Sequence, residues 1–297
     1  MFERFQTVRS APMKDFTTLR LGGPADWLIT PRSALELKEI LSEAGDNALP
    51  VTVIGQGSNL LVLDGGIRGA VVRMARGLTG CSVLENRIVA EAGTMMSSVA
   101  AAAAEAGLTG LEFASGIPGT VGGGVLMNAG AYGGEMSQIV QQVTVLGHDG
   151  QSTVLKSDEL SFGYRYSALQ GREMIVTQVV FQLSKGDKRE IREKMNDLKR
   201  RRAEKQPLNV PSAGSTFKRP EGYFAAALID QCGLKGYAVG GASVSSLHAG
   251  FLVNTGESAA EFLEQMCRVH RIVQERTGVW LEPEIRILGT AGSDFST

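Results

Sequence analysis

Cysteine and histidine are scarce in this chain, with three of each in 297 residues. Cys81, Cys232 and Cys267 are odd in number, far apart, and form no C-x-x-C pair. That argues against a disulfide framework or a zinc site and suits a reducing compartment. His148, His248 and His270 are equally scattered, so no metal is expected. Charge of one sign is missing too, since 30 basic residues stand against 31 acidic ones. No global field then recruits nucleic acid or an anionic membrane. Any phosphate binding must come from local backbone and a few side chains. The opening stretch MFERFQTVRSAPMKDFTTLR has no apolar core of signal-peptide length. No window approaches the roughly 18 apolar residues of a membrane span. What remains is a globular chain, expected in the cytoplasm, long enough for two domains and a third small one.

Glycine, by contrast, is concentrated. In Ser115–Glu135, SGIPGTVGGGVLMNAGAYGGE, eight of 21 residues are Gly, and no side chain is charged before Glu135. Free N–H groups in such turns form anion-binding concavities without Lys or Arg. Ile117, Val121, Val125, Leu126 and Met127 mark the stretch as packed structure, because a flexible linker would lack them. Two readings stay open: a backbone cradle for a phosphate-bearing, largely apolar cofactor, or a corner where two sheets pack closely.

The rest of the chain reads as an α+β mixture without a regular βαβ rhythm. Thr17–Pro31 predicts a strand, a Gly-Gly-Pro turn and a second strand. Ser33 and Glu36 form an S-x-x-E capping box for a helix over 33–44, with Gly45 placed to end it. Pro50–Ile54 is a buried strand running into GQGSN at Gly55–Asn59. A Rossmann fingerprint would need a third glycine where Leu60 stands, and a helix after it. An apolar strand follows instead, so Gly55–Asn59 joins two strands and can still hold phosphate through its N–H groups. Short strands are expected near 70–74, 82–84 and 88–92, and an Ala-rich helix over 94–106 closed by Gly107. Further strands follow at 140–146 and 174–183. The helix 187–206 carries the stripe Ile191, Met195, Leu198. Its Lys199–Arg202 run reads as a solvated C-terminus favoured by the macrodipole rather than a nucleic-acid patch. Pro207 and Pro211 mark a boundary. Beyond it come a helix over 223–232, a strand near 246–253, a capped helix over 258–277 and a last strand over 280–288.

That last strand, WLEPEIRIL, puts Glu282, Glu284 and Arg286 on one face, with Glu284 and Arg286 about 7 Å apart by strand rise. Leu281 and Ile285, continued by Ile287, line the other. A guanidinium can fork a carboxylate while a neighbouring Glu works as acid or base. The plainer alternative is the polar face of an edge strand, which Pro283 suits. Ser215, in AGSTF, is no G-x-S-x-G nucleophile; a loop serine usually caps a helix or bonds its own loop. Arg165, between Tyr164 and Tyr166, either stacks on aromatics or offers charge to an acidic ligand.

Together, TTLRLGGPAD, GQGSNLLV, the 115–135 stretch, FGYRYS, AGSTFKRP, GGASVSSLHAGFLVN and GVWLEPEIRILG resemble the UDP-N-acetylenolpyruvoylglucosamine reductase family over nearly the whole chain. The resemblance implies a monomeric enzyme of peptidoglycan precursor synthesis with non-covalent FAD, NADPH as co-substrate and a nucleotide-sugar substrate. It implies a vanillyl-alcohol-oxidase-like FAD fold in two α+β subdomains, 1–69 (with 289–297 returning to it) and 70–206, plus a substrate domain, 207–288. The FAD loops would be Ile54, Gly55, Gln56, Gly57, Ser58, Asn59 and Leu60, then Ser115, Gly116, Ile117, Pro118, Gly119, Val121, Gly122, Gly123, Asn128, Ala129 and Tyr132. Ser215 matches the family's proton donor, and Arg165 and Glu284 the pair that stabilises the intermediate. Lys218, Arg219 and Arg286 are expected on the substrate. Some members carry an inserted loop with a Tyr that folds over substrate; none is evident between Arg165 and Ser215, so the chain resembles the shorter subtype. Two rivals remain: another FAD oxidoreductase on the same scaffold, and a nucleotide-sugar-binding or hydrolytic protein.

Overall fold

Ser33 starts the first helix as its spacing predicts: its hydroxyl accepts the Glu36 N–H at 3.1 Å, and Glu36 in return accepts from Arg32 N–H at 2.8 Å. The helix, α1, runs Ala34–Asp46, so Gly45 lies inside it and does not end it. Asn47 closes the helix by donating to the Ala44 and Gly45 carbonyls, and Ala48 takes the left-handed turn at φ 51°. The computed structural model describes residues 1–292. Its class is α+β, as expected.

The described chain separates into two units. The first comprises Met1–Val8, Trp27–Gln56 and Gly69–Arg202; the second comprises Arg9–Asp26, Gly57–Arg68 and the chain from Ala203 onward. A four-stranded sheet has the order Gln6–Pro12, Pro24–Thr30, Ile67–Arg73, Val51–Ile54, and the division passes through three of its strands. Gln6–Pro12 carries no apolar alternation and is mostly exposed, which is why pattern reading misses it.

In the first unit a five-stranded antiparallel sheet has the order Ser152–Lys156, Val140–Gly147, Met174–Gln182, Arg87–Glu91, Cys81–Leu84. Around it lie α2 (Met96–Ala106, closed by Gly107), α3 (Val121–Leu126) and α4 (Lys188–Lys205). Leu37, Ile40, Val99, Val143, Phe181 and Ile191 belong to one continuous core. The cradle stretch thus contains a short helix that glycine content hides, because glycine is a poor helix former.

The second unit has its own core, with Leu61, Ile229, Phe262, Val269 and Leu281 in it. It holds α5 (Ala225–Gln231), α6 (Ala259–Thr277) and a three-stranded sheet ending in Leu252–Asn254. Ser258 caps α6 as expected, and the Asp64 carboxylate adds bonds from the Ala259 and Ala260 N–H groups at 2.8 and 2.9 Å.

Three strand expectations are corrected here. Only Pro24–Thr30 of 17–31 is a strand, because Thr17 and Arg20 close a turn that buries Leu19 and Leu21. Residues 245–251 form a turn, and the strand begins at Leu252. Of 280–288, only Arg286–Leu288 is a strand, parallel to Leu60–Val62, and Ile287 is 41% exposed instead of lining the buried side. The expected return of 289–297 lies outside the described residues at 293–297; Thr290 exchanges backbone bonds with Gly65 and Gly66.

Candidate active site

In the first unit the two glycine stretches meet. A Cβ on Gly55 would overlap the Thr120 hydroxyl, so Ile54–Gln56 lies directly against the 115–132 stretch. Backbone bonds fix that stretch to the start of α2: Met96 N–H to Gly119 O, Val121 N–H to Thr94 O and Gly122 N–H to Ala92 O, at 2.8–2.9 Å. A Cβ on Gly122 would sit 2.9 Å from that of Ala92, and one on Gly124 2.7 Å from Met96 Sδ. Close packing therefore accounts for these two glycines, as the second reading of the stretch expects. Glu112, buried, anchors the entry by accepting from Thr109 Oγ1 at 2.5 Å and Gly110 N–H at 2.9 Å. Burial would push its carboxyl up, but these bonds and Lys194 bring it below the ordinary carboxylate value.

Arg165 sits at the tip of a tight turn closed by reciprocal Gly163 and Tyr166 backbone bonds. Its φ of 53° is a left-handed conformation that costs a non-glycine residue about 1–2 kcal/mol. Its guanidinium lies 5.1 Å from the Tyr164 ring centroid. Three side chains pin this turn to the cradle. Asn128 donates to Gly163 O and accepts from Ser137 N–H, both at 2.9 Å. Ser167 and Gln170 both donate to Leu126 O at 2.9 Å, and Gln170 also to Arg165 O at 3.0 Å. Asn128, expected from the sequence as a cofactor contact, is in this structure the brace between the 115–135 stretch and the Arg165 turn.

In the second unit the chain around Ser215 lies beside the chain around Glu284. Thr216 O accepts the Glu284 N–H at 2.8 Å, and Lys218 N–H donates to Glu282 O at 2.8 Å. Asn59 joins them, donating to Glu284 O at 3.0 Å and accepting the Arg286 N–H at 3.0 Å. Gly57 has φ 73°, and a Cβ there would overlap the Phe16 carbonyl, so glycine is required. The other side of the Ser215 loop is held by Thr216, fully buried, whose N–H donates to Gly250 O and whose hydroxyl accepts from Leu252 N–H. α5 begins at Ala225 with no side-chain cap, so Ser215 does not cap it. Lys218 pairs with Glu282 at 2.6 Å, Arg219 stacks 5.3 Å from the Phe224 ring, and Arg286 is exposed.

A model of the FAD binding domain matches residues 25–156, and one described as UDP-N-acetylenolpyruvoylglucosamine reductase, C-terminal domain, matches 206–288. The reductase of that name from Caldanaerobacter subterraneus is 47% identical over 94% of this chain and 92% of its own. That of Clostridium novyi is 49% identical over 93% and 90%. The chain belongs to the UDP-N-acetylenolpyruvoylglucosamine reductase family. The solved reductase of Thermus caldophilus superposes with a TM-score of 0.82 at 41% identity, covering 96% of this chain and 99% of that one.

Both glycine stretches of this family member fall within the matched FAD-binding domain, and Ser215 and Glu284 within the C-terminal one. The residues present fit a flavin dinucleotide. The cradle allows close approach to bare backbone, and the buried Ser115 Oγ has no hydrogen-bond partner in the described structure. Among the described residues no helix is long and apolar enough to cross a membrane. Sequence reasoning passed over Thr216, a small residue in a loop with no pattern signal. It also passed over Arg202, discussed below, whose signal was its place in the α4 stripe.

Proposed function

We propose that this enzyme reduces UDP-N-acetylglucosamine enolpyruvate to UDP-N-acetylmuramate, consuming one NADPH and one proton per product. FAD, when bound, supplies the hydride that it takes from NADPH and delivers to C3 of the enol ether. The chain's own residues handle the charge and proton that this addition leaves. Negative charge then spreads over C2 and the carboxylate, an enolate-like species. The Arg165 cation stabilises it, and Glu284 acts beside it by holding or exchanging a proton. Ser215 Oγ gives the proton to C2. An alcohol is a weak acid, but the carbanion is a strong base, so placement matters more than acidity. The observation that supports this reading most is the Thr216–Glu284 backbone bond, which lays the loop of the proposed donor beside the segment that carries the glutamate.

The same reading assigns Ile54–Leu60 and the 115–132 stretch to the cofactor, and Lys218, Arg219 and Arg286 to the substrate's anionic groups, Lys218 exchanging Glu282 for them. It divides the cofactor-binding part into 1–69 and 70–206, with 207–288 for substrate. We place the enzyme in the cytoplasm as a monomer; the exposed free thiols of Cys81 and Cys267 suit a reducing compartment. The test is to mix protein, NADPH and UDP-N-acetylglucosamine enolpyruvate and follow the nicotinamide absorbance. The expected result is a yellow protein that, without oxygen, oxidises NADPH beyond one equivalent per flavin only when this substrate is added. Turnover with other acceptors alone would overturn the substrate assignment, and a colourless protein that cannot be reconstituted with FAD would overturn the whole reading.

A further inference from the structure

The buried stripe of α4 runs Ile191, Met195, Leu198 and continues, at helical spacing, to Arg202. Its neighbours Arg200 and Arg201 both turn outward to Asp197, at 2.6 and 2.7 Å. Arg202 turns inward. Its Cδ lies 3.2 Å, and Nη1 3.6 Å, from where a Cβ on Gly116 would be, so the guanidinium rests against bare backbone of the cradle. The Tyr132 phenol, also of the cradle, is its electrostatic neighbour. Among the described residues no carboxylate pairs with it. Burial pulls its pKa below the ordinary arginine value, and Tyr132 only partly opposes this. A half-buried cation without a counter-charge is costly. Lys194, two turns earlier, is tied to Glu112 at 3.6 Å, so α4 is fixed to the cradle's entry and Arg202 has little freedom to swing out. Arg202 thus brings a positive charge with no carboxylate partner among the described residues against a stretch whose side chains carry none before Glu135.

We propose that Arg202 is a cofactor-binding residue whose guanidinium neutralises negative charge on the bound flavin nucleotide. This rests on the FAD assignment. Two parts of that cofactor carry such charge: the diphosphate, and the reduced isoalloxazine ring at N1 and the C2 carbonyl. Both present oxygen or nitrogen acceptors in a plane that a guanidinium can fork.

The experiment compares Arg202→Gln and Arg202→Lys with the unchanged protein on three readouts. These are FAD dissociation constant by fluorescence, flavin midpoint potential by dye equilibration, and melting temperature of the apoprotein. The glutamine variant should bind FAD at least tenfold more weakly if the diphosphate is the partner. If the ring is the partner, its potential should fall by about 30 mV or more, the two-electron equivalent of tenfold. Either result supports the proposal and tells the two sources apart. The lysine variant, which keeps the charge, should recover most of the effect. Apoprotein of the glutamine variant should melt no lower than the unchanged apoprotein, since an uncompensated buried charge has been removed. Unchanged affinity and potential in the glutamine variant would overturn the proposal, as would a lowered apoprotein melting point with both values intact, the mark of a merely structural arginine. An unchanged protein that takes up no FAD would overturn the cofactor assignment itself.

Discussion

Ser215 is held through its neighbours. Thr216 anchors the loop on one side to Gly250 and Leu252 and on the other to Glu284. His248 lies one step further out: its Nδ1 accepts the Gly250 N–H at 3.1 Å, and its ring packs edge-on against Phe251 at 5.0 Å. Burial lowers the imidazole pKa below its ordinary 6.5, and the nearby Lys235 adds to this. The folded protein therefore keeps His248 neutral where the unfolded chain already takes a proton. Its contribution is complete above about pH 6.5 and declines as pH falls from there toward the folded value. Protonation would also turn the Nδ1 acceptor into a donor facing the Gly250 N–H. In urea unfolding at several pH values, the stability advantage of the unchanged protein over His248→Asn should be largest above pH 6.5 and shrink toward pH 5.5. A difference that is constant across that range would contradict this account.

At the scale of elements, the first unit works by bracing the Gly163–Tyr166 turn against the end of α3. Asn128→Ala would leave the Ser137 N–H without its partner and the Gly163 carbonyl with the Tyr166 N–H alone. An unsatisfied buried group costs roughly 1–3 kcal/mol, so a loss of about 2 kcal/mol is expected in urea unfolding. A fall in kcat should accompany it, because Arg165 loses its fixed, left-handed tip. Stability and kcat both within error of the unchanged enzyme would contradict the brace. Elements with strong local signals were legible beforehand: the Ser33 cap, the capped helix over 258–277 and the Gly107 terminus all appear where the residues put them. The elements that were missed or shortened depend on distant partners. Leu60–Val62 and Arg286–Leu288 pair across a sequence separation of 226 residues (Leu60 with Arg286), beside the Asn59–Glu284 bond. Gln6–Pro12 pairs in a sheet without any apolar rhythm of its own. Arg202 was set aside with a solvated basic run, although its spacing from Ile191, Met195 and Leu198 puts it on the buried side.

At the scale of the whole molecule, the residues assigned to the proposed reaction come from two units with separate cores. Arg165 and most of the cradle belong to the first, Ser215, Glu284 and Gly57–Leu60 to the second. The motifs that carry the family resemblance were legible because each is a local backbone requirement, as at Gly57, or a short run around a reactive side chain. The measurement that tests the central claim most directly separates the two half-reactions in anaerobic rapid mixing of Ser215→Ala. Reduction of the bound flavin by NADPH should stay within about threefold of the unchanged enzyme. Reoxidation by the enolpyruvyl substrate should slow by roughly 10²–10⁴-fold, the usual worth of a placed general acid. Equal slowing of both half-reactions, or of neither, would contradict the assignment of Ser215 as the proton donor.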